Sequence, residues 1–216
     1  AFVSALAASV TTQVRTLFIE TPDANWILEN TAFQDFFYEH CSIYTPASMS
    51  KILGEYGLLA KTTAVYGGQY MWTEANFFVD KLTFKPDSFH GEATQGIAEI
   101  YIDESARMLN GWSAYIQEHS KKGLVAIWGA ASKGVTFTLL MSQILDTENG
   151  IACAIDLNVA KQKCFMPITN TSIVSPEDAK KMGVATVIIM NPNYLDEIKN
   201  MATNMNWSPE FVTLNK

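Results

Sequence analysis

The segment at residues 125–134, VAIWGAASKG, contains the residue types and spacing that most clearly indicate chemistry. An apolar run ends at Gly129, and a second glycine, Gly134, follows five residues later, where the periodicity becomes helical. Glycine lets a backbone come close to a phosphate, and the first amide groups of a helix point toward bound anions. The segment therefore predicts an anion site in which Gly129, Ala130 and Gly134 form a cradle and Lys133 supplies positive charge.

Two interpretations of this segment remain open on its residues alone. A P-loop carries a lysine directly after its second glycine, whereas Lys133 precedes Gly134 here. A tight structural turn with a solvated lysine has the same residues. The pattern favours a phosphate site but is also compatible with a purely structural turn.

Two polar residues follow later apolar runs and are expected near the same crevice. Asp156 stands 27 residues after Gly129, in the region where dinucleotide-binding folds place a carboxylate on a ribose hydroxyl. The same residue fits a helix N-cap equally well. Asn193 follows a third apolar run and is expected to face the crevice as well.

Residues 123–216 supply the elements that would position these side chains. The pattern predicts strands at residues 125–128, 152–156, 186–190 and 211–214, separated by helices that begin at Ser132, near Pro176 and at Tyr194. Strands that alternate with helices form a parallel sheet, and ligands bind at the carboxyl ends of its strands. We therefore expect a small Rossmann-like domain at residues 123–216.

Residues 1–85 have a different pattern. A helix-like stretch at residues 1–14 runs directly into a predicted strand at residues 17–20, which indicates the carboxy-terminal portion of a longer protein. An irregular aromatic stretch follows at residues 30–44. Thr45 then fits a helix N-cap.

A helix and a hairpin complete this part. The apolar positions of the helix recur at helical spacing and end at a glycine: Met49, Ile52, Leu53, Tyr56 and Gly57. The period changes to two over residues 58–78, with Gly67-Gly68 in the middle, which predicts a β-hairpin. A strand, a helix and an antiparallel hairpin, in this order, match the end of a class I methyltransferase sheet.

Residues 86–122 are predicted to connect the two parts. Residues 86–90 have the composition of a linker, and a helix is predicted at residues 92–122 with one apolar side: Ile97, Tyr101, Met108, Trp112 and Tyr115. Such a helix would span about 40 Å. The expected fold class is thus α/β, with the end of a methyltransferase-type sheet, a long linker helix and a Rossmann-like domain.

Composition excludes several classes of protein. The 216 residues are 48% hydrophobic, enough for a sizeable core. The net charge of −7 comes without a basic cluster, so we expect no nucleic-acid partner. The three cysteines form no C-x-x-C pair, so we expect reduced thiols and no metal site. No apolar run reaches the ~20 residues of a membrane span, so we expect no membrane partner and a cytoplasmic location.

Motifs spread over nearly the whole chain carry a resemblance to a known family. Residues 33–45, FQDFFYEHCSIYT, followed by Gly67-Gly68, resemble the Y-H-E-H-x-S-Y-F-S and G-G-S segments of sugar C-methyltransferases. Residues 128–134 resemble the family's Y-G-A-x-x-K-G, and further matches follow in the same order: Ile155-Asp156 with Lys161 for V-D-x-N-P-x-K, Met166-Pro167 and Thr169 for M-P-G-T, Ser175-Pro176-Glu177 for S-P-E, and Asn193 with Asp196-Glu197-Ile198 for W-N-x-x-D-E-I. In that family S-adenosylmethionine methylates a ring carbon of a nucleotide-linked keto-deoxysugar.

The resemblance implies catalytic roles in the aromatic loop. Methylation beside a ketone requires removal of a proton, and histidine titrates near neutral pH. His40 matches the final histidine of Y-H-E-H, which has the role of the base in that family; Glu39 matches the adjacent glutamate, and Tyr38 stands at the position of the first histidine. Three departures from the motifs stand out: Phe37 replaces the tyrosine, Tyr38 replaces the first histidine and Met71 replaces an arginine. A structural buried histidine, and a carboxylate that caps a turn or balances a lysine, are the alternatives.

The resemblance also implies S-adenosylmethionine as cofactor and a nucleotide-linked sugar as substrate. Family members carry a zinc-binding piece and the glycine-rich half of the methyltransferase sheet, and neither is in this sequence, so we expect an incomplete S-adenosylmethionine site. Two alternatives are a non-catalytic nucleotide-sugar-binding module, motivated by Phe37 and Met71, and an NAD-dependent oxidoreductase, motivated by Gly129 and Asp156. The sequence leaves the oligomeric state open, a homodimer included.

Overall fold

A computed structural model describes most of the chain. The described residues are 2–9, 16–37, 40–77, 91–145 and 150–214. The chain divides into two compact units: unit 1 comprises Ala1–Phe33 and Tyr38–Glu104, and unit 2 comprises Gln34–Phe37 and Ser105–Lys216. The predicted linker at residues 86–90 lies outside the described residues.

Unit 1 is built on a three-stranded antiparallel sheet. Its elements are α1 (Phe2–Ser9), β1 (Thr16–Pro22), α2 (Ala24–Glu29), α3 (Pro46–Glu55), β2 (Leu58–Val65) and β3 (Tyr70–Phe77). The strands are arranged in the order β1-β3-β2, so β3 pairs with both neighbours. The predicted strand, helix and hairpin are therefore confirmed.

Local side-chain chemistry explains where α3 begins and ends. The Thr45 hydroxyl accepts a hydrogen bond from the Ser48 amide at 3.1 Å, and the Ser48 hydroxyl accepts one from the Thr45 amide at 2.8 Å. This reciprocal capping box satisfies amide groups that have no acceptor inside the helix. Gly57, with φ of 76°, follows the helix as predicted. Tyr56 lies just beyond the last turn and is 40% exposed, so the buried stripe ends at Leu53.

A single long helix, α4 (Gly91–Ser120), follows. Its 30 residues give it a length of about 45 Å. Near its end, His119 is buried, and its Nδ1 donates to the Tyr115 carbonyl oxygen at 2.8 Å. The His119 Nε2 lies 3.3 Å from the Glu210 carboxylate. The contact with Glu210 attaches the end of the helix to β8, the last strand.

Unit 2 contains a five-stranded parallel sheet. Its elements are β4 (Leu124–Trp128), α5 (Ser132–Ser142), β5 (Cys153–Ile155), β6 (Ile173–Val174), α6 (Pro176–Met182), β7 (Val184–Ile189), α7 (Leu195–Asn204) and β8 (Glu210–Thr213). The strand order is β6-β5-β4-β7-β8, and each neighbouring pair is parallel. This is a Rossmann-type strand order: from β4 the chain first adds β5 and β6 on one side, and then crosses back to add β7 and β8 on the other side. The strand order therefore reverses between β4 and β7. The sequence predicted the other four strands but not β6.

The core of unit 2 consists of continuous apolar strands. Residues 125–128 of β4 and 186–189 of β7 are all buried, as expected of central parallel strands covered on both faces. Burial raises the pKa of the Cys153 thiol in β5 to about 12. Its thiolate population is therefore low at neutral pH, and the side chain packs in the core of unit 2. Within the described residues, no helix is long and apolar enough to cross a bilayer.

Candidate functional site

A cleft of about 460 Å³ opens at the carboxyl ends of β4 and β7, where the strand order reverses. We call it the β4–β7 cleft. Its apolar walls include Phe37, Trp128, Met190 and Tyr194, and its charged lining residues are Lys133, Asp156 and Glu197. Open parallel sheets bind ligands at this topological position. Mostly apolar walls with a few polar groups are typical of small-molecule sites.

The glycine turn, residues 129–134, connects β4 to α5. Gly129 has φ of 121°, a conformation that L side chains rarely adopt. Its amide donates to the Ile155 carbonyl oxygen at 2.8 Å. A Cβ atom at this position would also lie 3.3 Å from the Met190 Cβ. The sharp departure of the chain from β4 therefore requires glycine at position 129.

Gly134 lines the cleft, but a side chain at this position would point into the protein and not into the cleft. A Cβ atom there would overlap the Gly129 carbonyl oxygen and would lie 3.1 Å from the Ile127 Cδ1. The absence of a side chain at Gly134 thus allows α5 to pack closely on the turn. This is the role of the last glycine in a G-x-G-x-x-G pattern. Ala131 occupies the middle position of that pattern, where a bare glycine lets a pyrophosphate come closest.

The start of α5 presents amide groups to the cleft. The N-cap residue is Ala131, and no side chain caps the helix. Helix geometry leaves the first amide groups, those of Ser132, Lys133 and Gly134, without an acceptor inside the helix. These three residues line the cleft. Together with the helix dipole, such amides form an anion-binding group.

The Lys133 ammonium has a carboxylate partner inside unit 2. Its Nζ lies 2.9 Å from Asp35 Oδ1 and 3.2 Å from Oδ2. The Asp35 side chain is only 3% exposed, whereas that of Lys133 is 25% exposed. The positive charge predicted for a phosphate is therefore balanced by a buried carboxylate. Sequence reasoning missed Asp35, which lies inside the FQDFFYEH segment but 98 residues from its partner.

Asp156 and Ala130 are also engaged within the protein. The Ala130 amide donates to Asp156 Oδ2 at 3.0 Å, and the Lys161 Nζ lies 3.2 Å from the same oxygen. The Asn158 amide donates to Asp156 Oδ1 at 2.9 Å. Asp156 still lines the cleft, and Ala130 is buried behind it. The Ala130 amide therefore does not point toward a ligand.

Asn191 lies closer to the cleft than the predicted Asn193. Asn191 follows β7 and lines the cleft, and its side-chain oxygen accepts a hydrogen bond from the Asn193 amide at 3.1 Å. Asn193 is exposed and is not among the lining residues. The short 3₁₀ turn at Pro192–Tyr194 moves Asn193 away from the end of the strand.

Of the three residues predicted to be catalytic, the structure describes only His40. His40 is partly buried in unit 1. Tyr38 and Glu39 lie outside the described residues. Phe37, three positions before His40, belongs to unit 2 and lines the β4–β7 cleft. One stretch of sequence thus contributes to the cleft wall and carries the histidine.

Unit 2 is a Rossmann-like domain with a cleft at the position where the strand order reverses. The family model described as the C-methyltransferase C-terminal domain matches residues 91–214. This match spans more than half of the chain, and the chain belongs to that family. Its activity class is therefore that of a methyltransferase. A comparison with curated proteins finds no match.

The Lys133–Asp35 pair leads to a stability prediction. We expect Lys133→Met to lower the free energy of unfolding by about 1–3 kcal/mol, because it removes the cation beside a buried carboxylate. Lys181→Met is the matched control, since its partner Asp178 is exposed at a similar distance, and it should cost less than about 0.5 kcal/mol. Urea unfolding of both variants measures the difference. Equal losses would show that Asp35 does not depend on Lys133.

Proposed function

We propose that the chain forms part of an S-adenosylmethionine-dependent C-methyltransferase that acts on a nucleotide-linked keto-deoxysugar. In this proposal the β4–β7 cleft binds the nucleotide. The observation that carries it is the combination, in one cleft, of apolar walls with the uncapped start of α5. The apolar walls suit the nucleobase, and the amides of α5 suit a phosphate group of the nucleotide.

His40 is the proposed base. A base removes the proton from the carbon beside the ketone, and the resulting carbanion is the nucleophile that receives the methyl group. S-adenosylmethionine would supply that methyl group when bound. In the described part of unit 1, β1 connects to α2 through Asp23, without a glycine turn. We therefore assign no S-adenosylmethionine-binding residues in this chain.

Three observations bear on the alternatives. Ala131 at the middle position of the glycine pattern and the engagement of Asp156 by Ala130 and Lys161 disfavour a dinucleotide site. They therefore weigh against an NAD-dependent oxidoreductase. Met71, which replaces an arginine of the family motif, is buried in the core of unit 1 with Leu53. Its packing role is compatible with a non-catalytic nucleotide-sugar-binding module, which stays the second candidate.

A charge placed at the start of α5 tests the nucleotide site. We expect Ser132→Asp to lower nucleoside diphosphate affinity at least about tenfold, because the carboxylate occupies the anion position, while helix stability is unchanged or slightly increased. Ser142→Asp, at the other end of α5, is the control and should leave affinity unchanged. Calorimetric titration with ADP, GDP, UDP, TDP and NAD measures both variants and the wild-type chain.

The same titrations separate the candidates. A crystal soaked with the tightest diphosphate should show phosphate density at the amides of residues 132–134. Binding of NAD in preference to every diphosphate would favour the oxidoreductase. Tight binding of a nucleotide-sugar without turnover by the complete enzyme would favour the non-catalytic module. Wild-type and Ser132→Asp proteins of equal affinity would contradict the proposed site.

A further inference from the structure

We infer that Asp156 and Lys161 position the glycine turn by clamping the peptide groups of Ala130, and that Asp156 does not bind the ribose. The inference deepens the proposed function, because it assigns these residues a role in shaping the β4–β7 cleft and removes one expected contact with the substrate. It rests on the proposed function only for the identity of the ligand.

The clamp is a closed ring of three contacts. The Ala130 amide donates to Asp156 Oδ2 at 3.0 Å. The Lys161 Nζ lies 3.2 Å from that same oxygen and donates to the Ala130 carbonyl oxygen at 3.0 Å. Both backbone polar groups of one residue are therefore held by one ion pair. Hydrogen bonds that involve charged groups are stronger than neutral ones, so the ring holds the turn firmly.

The loop after β5 is folded around the carboxylate. The Asn158 amide donates to Asp156 Oδ1 at 2.9 Å, and the Gln162 side chain donates to the Asp156 carbonyl oxygen at 3.0 Å. The Asp156 side chain is 14% exposed and that of Lys161 is 37% exposed. A carboxylate has about four acceptor positions, and three are used, by the Ala130 amide, the Asn158 amide and the Lys161 Nζ. Little capacity is left for a bidentate contact with a ribose.

The position of Ala130 explains what the clamp controls. Ala130 lies between Gly129, whose φ is 121°, and Ala131, the N-cap of α5. Its two peptide groups therefore set the direction in which the chain enters the helix. Because the first amides of α5 face the cleft, their aim depends on that direction. A loosened clamp would weaken binding of any phosphate, whatever the sugar attached to it.

Hydrogen exchange at the Ala130 amide tests the clamp without a ligand. We expect Asp156→Asn and Lys161→Met each to speed exchange at least about tenfold, and the double variant to add little, because either change opens the same ring. Lys161→Arg should restore much of the protection. Lys181→Met, which breaks an exposed pair elsewhere in unit 2, is the control and should leave the Ala130 amide unaffected. Unchanged exchange at Ile127 in β4 checks that each variant is folded.

Nucleotide titrations test the ribose. UDP and dUDP differ only in the 2′-hydroxyl, and we expect Asp156→Asn and Lys161→Met to weaken both by the same factor. A loss confined to UDP in Asp156→Asn would overturn the inference, since it would identify Asp156 as a ribose ligand. Unchanged Ala130 exchange in Lys161→Met would overturn it as well. A wild-type chain that binds no nucleotide would instead contradict the proposed function, while the exchange data would still decide the clamp.

Discussion

Replacement of Gly134 by valine should destabilise unit 2 by at least about 3 kcal/mol, the upper part of the range for overpacked cores. The reason is steric: a Cβ atom at this position overlaps the Gly129 carbonyl oxygen, which belongs to backbone that the Ile155 carbonyl and Gly129 conformation already hold in place. A rotamer change cannot relieve an overlap with backbone. Thermal and urea unfolding measure the loss.

A second glycine of unit 2 provides the matched control for this variant. Gly111 lies inside α4, and a Cβ atom there would meet nothing within 4 Å. Gly111→Ala should therefore stabilise the protein by about 0.5–1 kcal/mol, since alanine favours a helix interior over glycine. If Gly134→Val has the same urea midpoint of unfolding as the wild type, α5 does not pack closely on the turn. A loss of nucleotide affinity alone, in a fully stable variant, would return Gly134 to the role of a phosphate cradle.

Replacement of His40 by alanine in the complete enzyme should lower turnover by about 10²-fold or more. The affinity for the nucleotide-sugar should change little, because an interaction made only in the transition state lowers turnover without weakening ground-state binding. Steady-state kinetics together with an equilibrium titration separate the two effects. This expectation rests on the proposed function and on the motif that places His40 in the role of the base.

His119 is the appropriate control histidine. It is buried at the end of α4 and contacts Glu210, which begins β8 and so lies at the edge of the sheet opposite the carboxyl ends. His119→Gln should lower the melting temperature and leave turnover within about twofold of the wild type. An active His40→Ala enzyme, or one whose loss of turnover matches its loss of folded protein, would remove His40 from the mechanism.

Local sequence was sufficient for elements whose hydrogen bonds close within a few residues. The capping box of Thr45 and Ser48 and the positive φ of Gly57 are determined by residue types at short spacing. Continuous apolar runs likewise placed β4 and β7, because a strand buried on both faces needs no polar positions. The two-residue strand β6 was missed since Ile173 and Val174 are too few to form a pattern.

The candidate site was predicted only in part. Its position followed from the order of strands and helices, because every parallel Rossmann-like sheet gathers its loops at the carboxyl edge. The glycine turn also lies where it was predicted, between β4 and α5, and the φ of 121° at Gly129 is a feature that the sequence analysis did not anticipate. Asn191, rather than Asn193, lines the cleft because a 3₁₀ turn follows β7, and periodicity over so few residues does not distinguish it from a helix start.

The tertiary structure decided what the charged and small residues of the site contact. Lys133 faces Asp35 across 98 residues of sequence, Asp156 holds Ala130 across 26, and the missing side chain of Gly134 faces the Gly129 carbonyl oxygen. The sequence determined that a glycine turn exists and where it lies along the chain. It could not determine what that turn contacts, because the energy of an ion pair or a steric overlap depends on distances that arise only when remote segments pack together.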